Sequence, residues 1–125
     1  QGDLDPAHAA GERDALGREI ELTWLNTTKR FKSFELPVQL GRVRDADFVV
    51  NDPRVSRIHA RLEWRNGSVV FVDASSYGSW VRFLGTTGSD VLLRREECVL
   101  HGKGELALGA SFSDASVPTV SFTIL

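Results

Sequence analysis

The stretch "EWRNGSVVFV" (residues 63–72) places Asn66-Gly67 between two runs of strand-forming residues. Two consecutive residues that tolerate positive φ are what a type I′ turn requires, so the pair predicts a tight hairpin. Its arms are expected over Arg57–Trp64 and Ser68–Asp73. On the first arm a period of two puts Ile58, Ala60, Leu62 and Trp64 on one face and His59, Arg61, Glu63 and Arg65 on the other. The same period continues outward. "EIELTWL", "FELPVQLG" and "DFVV" precede the hairpin; "SWVRFL", "VLLRREECVL", "GELALG" and "TVSFTIL" follow it. Nine or so short runs, punctuated by Asn, Asp, Gly and Ser and without a convincing helix, predict an all-β sandwich with Greek-key or meander connections. Trp24, Phe34, Phe48, Trp64, Phe71, Trp80, Phe83 and Phe122 lie mostly within these runs and are expected to pack the core rather than to stack on bases.

Bulk properties narrow the partners. The 125 residues suffice for one domain with a real core, and 42% hydrophobic against 26% charged residues excludes wholesale disorder. A net charge of −2 offers no global field for nucleic acid or anionic lipid. Lys29–Arg65 nevertheless holds nine Lys/Arg against five Asp/Glu, a local excess suited either to a small anionic partner or to a solvated face. The one cysteine, Cys98, permits no internal disulfide and no cysteine-based zinc site, and its apolar run "CVL" reads as a buried structural thiol. No metal or other cofactor is expected. No apolar stretch reaches the roughly 20 residues of a membrane helix, and no signal-peptide core is present, so the expected compartment is cytoplasmic. Residues 1–18 read as a linker or flexible tail, with a short helical turn around Ala9–Leu16, and 19–125 as the folded domain of a longer protein.

Because strands of a sandwich are joined at its two ends, function is expected in the loops. Three carry unusual chemistry: "LGRVRDAD" (residues 40–47), "DPRVSRIH" (52–59) and "DASSYGSWV" (73–81). Gly41 turns the chain into Arg42, and Ser75, Ser76 and Ser79 surround Tyr77-Gly78. Brought to one edge, they would supply a guanidinium, two or three hydroxyls and backbone N–H groups, a donor set that matches a phosphate. A hydrolytic triad from Ser56 or Ser76, His59 and Asp52 or Asp73 competes with this reading. No G-x-S-x-G elbow, carboxylate pair or metal-ligand cluster supports it. "HGKGELALG" (101–109) lacks the order of a phosphate loop and reads as turn glycines, and Arg94-Arg95-Glu96-Glu97 as a solvated edge or turn.

"GR", then "DADFVVNDPRVSRIHA", then "VDASSYGSWV" resembles the forkhead-associated (FHA) domain, whose signature is Gly-Arg, Ser-x-x-His and an Asp-x-Ser-Thr-Asn-Gly-Thr loop. The likeness covers about Ile20–Leu125 and is most specific over Gly41–Val81. It implies an eleven-strand FHA-type sandwich, non-catalytic, that binds phosphothreonine peptides through loops at one end. Position by position, the resemblance assigns Arg42 to the phosphate oxygens, Ser56 to a hydroxyl donor beside it, and Arg57 to the phosphate or the peptide backbone. Ser76 stands at the family's threonine, and Tyr77 replaces the asparagine that reaches the peptide main chain. Gly41, His59 and Gly78 would support the loops, and Arg54 on the rim would meet an acidic peptide side chain. "LLRREECVLHGKGELALG" (92–109) also resembles FHA segments of bacterial adenylate or guanylate cyclases, implying a tether to such a signalling enzyme. The partner is thus expected to be a phosphothreonine-containing protein; phospho-independent docking or dimerisation is the alternative.

Overall fold

The Asn66-Gly67 turn is formed as expected: both residues have positive φ (53° and 78°), and the strands on either side pair from Arg65↔Ser68 to Ala60↔Asp73. In the computed structural model, which describes residues 18–125, eleven strands follow one another. They are β1 (Glu19–Trp24), β2 (Thr27–Lys32), β3 (Val38–Gly41), β4 (Phe48–Val49), β5 (Ala60–Arg65) and β6 (Ser68–Asp73), followed by β7 (Ser79–Phe83), β8 (Val91–Leu93), β9 (Glu97–Leu100), β10 (Lys103–Leu108) and β11 (Thr119–Ile124). A six-stranded sheet, β2-β1-β11-β10-β7-β8, faces a five-stranded sheet, β4-β3-β5-β6-β9. Every pairing is antiparallel except the two-residue contact of β3 with β4. The tail and the helical turn expected around Ala9–Leu16 fall outside the described residues but for Arg18.

Inward-facing side chains of both sheets make one core. Ile20, Leu22, Leu106, Val120 and Phe122 come from the larger sheet, and Leu40, Phe48, Leu62 and Phe71 from the smaller. Strand β6 departs from alternation, since Val69 through Val72 are all buried. Its outward Val70 and Val72 lie opposite Glu63, Arg61 and Glu97 on the neighbouring strands. With Arg65 they form a chain of ion pairs, Arg61–Glu63–Arg65–Glu97, on the outer face of the strands beside the valines.

Several expectations need correction. β5 begins at Ala60, not at Arg57; upstream of it the chain leaves the pleat, so Ile58 is exposed and His59, assigned to the outer face, is wholly buried. The run "FELPVQLG" keeps only its last four residues as strand, because Ser33–Glu35 forms a 3₁₀ turn. Phe34 on that turn is 70% exposed and not part of the core. Trp24, Trp64 and Phe83 pack on the core half-buried, as does Cys98, whose thiol partial burial pushes up. Trp80 is half-buried as well. Gly102 and Gly109 are turn glycines with positive φ, but Gly104 lies inside β10, where a Cβ would meet the Phe122 ring.

Candidate phosphate-binding site

Strand register brings the loops together. Leu40, Ala60 and Asp73 lie side by side across one sheet, and Ser79 lies between Leu108 and Leu93 in the other. The chain beyond β3, before β5, after β6, after β8 and after β10 therefore emerges at the same end of the sandwich. Arg42, Arg57, Ser56, Ser76 and Tyr77 line one open depression of ≈ 490 Å³ there, with Arg54, Pro53, Val55, Ile58 and Ala74. That volume is of the order of a ligand cleft.

The first two loops are laced by their backbones. Arg42 N–H donates to the Ser56 carbonyl (3.0 Å) and Val43 N–H to that of Arg57 (3.3 Å). This approach explains Gly41, which has no positive φ and is not a turn glycine: a Cβ on it would overlap the Arg57 carbonyl. Arg42 Nε donates to the Val55 carbonyl at 3.1 Å, which aims the guanidinium. Its four terminal N–H groups make no hydrogen bond among the described residues. Ser56 Oγ accepts the Ser76 N–H at 2.9 Å and donates to no other group among the described residues, so its O–H is free to serve a ligand in the depression. The side chains of Arg57, Ser76 and Tyr77 are exposed and make no hydrogen bond among the described residues, and Tyr77 is 64% exposed.

Behind this surface lies a buried polar chain. Ser56 N–H donates to His59 Nδ1 at 3.0 Å, so that nitrogen is an acceptor and the ring proton sits on Nε2. Nε2–H then faces Ser79 Oγ (3.0 Å) and the Gly78 carbonyl (3.2 Å). Ser79 Oγ donates onward to Asp73 Oδ1 at 2.6 Å, as does Ser75 Oγ at 2.7 Å. Arg95 N–H closes the other carboxylate oxygen at 2.9 Å, and Gly78 N–H donates to Ser75 Oγ at 2.7 Å. His59, Asp73, Ser75 and Ser79 are all buried, and none leaves a side-chain polar atom unpartnered. Burial lowers the His59 pKa, opposed by the attraction of Asp73 and the hydrogen bond to Gly78, so the ring is neutral at pH 7. Gly78 (φ 95°) adopts the backbone conformation that glycine favours.

This arrangement also answers the hydrolytic reading. Nδ1 of His59 is taken by a backbone N–H and Nε2 by a serine with no solvent exposure, so neither the Ser56 nor the Ser76 hydroxyl is paired with the ring. No group of three or more His, Cys, Asp or Glu suited to a metal occurs among the described residues. No helix among them is long and apolar enough to cross a membrane.

Arg54 lines the same depression, but its guanidinium is already committed within the protein. All five of its N–H groups are engaged, by Asp52 through Nε and one Nη, by Asp114 and Ser116 Oγ, and by the Ser116 carbonyl at 2.6 Å. Asp114 and Ser116 lie 60 and 62 positions away and carry no local signal of this contact. The roles of Asp73, Ser75 and Ser79 in the buried chain were likewise not assigned from the sequence.

Fold and site together give a β-sandwich that gathers arginines, serine hydroxyls and loop backbone in one depression at one end. A family model described as "FHA domain" matches residues 38–109, more than half of the chain, and the protein belongs to the FHA family. Among solved structures it is similar to the first FHA domain of Mycobacterium tuberculosis Rv1747, with 21% identity over 86% of this chain and 97% of that one (TM-score 0.66). The FHA1 domain of yeast Rad53 is similar over 95% and 85% of the two chains, with 14% identity (TM-score 0.69). Mycobacterium tuberculosis EmbR, solved with a low-affinity phosphopeptide, matches at 20% identity over 85% of this chain and 24% of that one (TM-score 0.58). A search of curated proteins found no match.

Proposed function

We propose that the domain is a non-catalytic phosphothreonine-peptide recognition module of a larger signalling protein. The observation that carries this is that one depression is lined both by Arg42, fastened through Nε with its terminal N–H groups open, and by Ser56, whose hydroxyl keeps its proton to donate. Arg57 and Ser76 border the same depression and add a second guanidinium and a second hydroxyl. A dianionic phosphate is satisfied by such a fork with neutral donors, whereas a single planar carboxylate leaves donors unpaired. Membership of the FHA family, and a similar protein solved with a phosphopeptide, support the choice of ligand. Tyr77, an exposed aromatic residue, lines the depression in place of the asparagine amide expected from the family pattern. The tether to a cyclase rests on the sequence resemblance over 92–109.

Phospho-independent docking is the competing reading, favoured by the exposure of Ile58 (39%), Tyr77 (64%) and Leu92 (40%). Calorimetry with one peptide in phosphothreonine, glutamate and unmodified forms separates the two. The proposal expects roughly micromolar affinity, about 8 kcal/mol, for the phosphorylated form alone. Equal affinity for all three forms would overturn it.

A further inference from the structure

Arg54 sits where the loop before β5 meets the loop after β10. Its backbone lies against Gly109, where a Cβ would overlap the Arg54 carbonyl. Its guanidinium is bidentate to Asp52 (3.0 and 3.1 Å) and reaches across to Asp114 (3.1 Å), Ser116 Oγ (3.0 Å) and the Ser116 carbonyl. Asp114 is itself pinned by the N–H and hydroxyl of Ser116. The Arg54 hydrogen bond lowers the Asp52 pKa, and the Ser116 N–H and hydroxyl, with a smaller contribution from Arg54, lower that of Asp114. Both carboxyls are therefore ionised at neutral pH. One cation stands between two anions, so the rim presents a net charge of −1 and no open N–H. Of the three arginines lining the depression, only Arg42 and Arg57 have guanidinium donors that make no hydrogen bond among the described residues.

We infer that Arg54 is a positioning residue which ties the recognition loop to the β10–β11 loop, and that Asp52 and Asp114 occupy in cis the contact an acidic peptide side chain would make. The domain accordingly selects phosphothreonine peptides without a preference for an acidic residue after the phosphothreonine. This rests on the phosphothreonine reading above and adds to it a specificity that the motif does not imply.

The test is a panel of phosphothreonine peptides that differ only by Asp or Asn at each of the four following positions. The panel is titrated against the wild type, Arg54→Gln, and the double variant Asp52→Asn/Asp114→Asn. The wild type is expected to bind the Asp and Asn members within about twofold of each other. In the double variant the released guanidinium is expected to favour Asp at one position by about three- to fivefold, the scale of an exposed ion pair. Arg54→Gln is expected to weaken Asp and Asn peptides alike, since it loosens the loop and removes no reader. A wild-type preference for Asp above fivefold that Arg54→Gln abolishes would overturn the inference while leaving phosphothreonine binding intact. So would a double variant that gains no preference. Should Arg54→Gln fail to fold, the wild-type and double-variant ratios still decide. Wild type that binds no phosphopeptide at all removes the phosphothreonine reading, and this inference with it.

Discussion

Replacing His59 by alanine separates the parts of this site that hold the loops from the parts that face a ligand. The ring is fully buried, accepts the Ser56 N–H and donates towards Ser79 Oγ and the Gly78 carbonyl. Alanine removes both nitrogens at once. Two net hydrogen bonds contribute about 0.5–1.5 kcal/mol each, and each group left dry and unpaired costs about 1–3 kcal/mol. Water entering the vacated space offsets part of this, which places the loss at roughly 2–4 kcal/mol. For a domain of this size about 1 kcal/mol shifts the melting temperature by about 4–8 °C, so thermal unfolding should move down by at least about 8 °C. Affinity should fall too, because Ser56 loses the anchor that fixes its backbone beside Arg42. A calorimetric melt of both proteins without ligand, followed by peptide titration below the lower transition, gives both quantities. A variant that melts within about 2 °C of the wild type would refute the role of the buried chain.

Arg42→Ala should do the reverse. It removes from an exposed side chain one bond to the Val55 carbonyl and the open N–H fork, so the melt should move little. Two charge-assisted bonds to phosphate contribute about 1.5–3 kcal/mol each, enough to take a micromolar affinity beyond detection by titration. Because burial depresses the His59 pKa below that of the unfolded chain, the unfolded state binds more protons in this window. The ligand-free melting temperature should therefore fall as pH drops below about 6.5, and His59→Gln should flatten that slope between pH 7 and 5. Gly41→Ala forces a Cβ onto the Arg57 carbonyl, and should lower stability by about 1–3 kcal/mol and weaken phosphopeptide binding by moving the loop that carries Ser56 and Arg57. Denaturant unfolding and the same titration would check it.

Local chemistry in the chain determined the sandwich, its central hairpin and the residues lining the depression. Asn66-Gly67 can turn almost no other way, period-two burial needs only neighbours in sequence, and the Gly-Arg and Ser-x-x-His motifs sit within single loops. Other features required the assembled sheets. Strand β2 is almost wholly exposed at a sheet edge, so its residues carry no buried face and only pairing with β1 makes them a strand. "VLLRREECVL" reads as one run, yet β8 and β9 belong to opposite sheets, parted at Arg95 (φ 58°), whose N–H is held by Asp73. These two points turn nine runs into eleven strands. Arg54 shows the same division at the site. Its position on the rim was legible, but its charge is answered by Asp114, 60 residues onward, which only packing of the β10–β11 loop brings within 3.1 Å. Sequence patterns record which way a side chain faces relative to its neighbours, and the partner waiting across the fold is set by how the two sheets close.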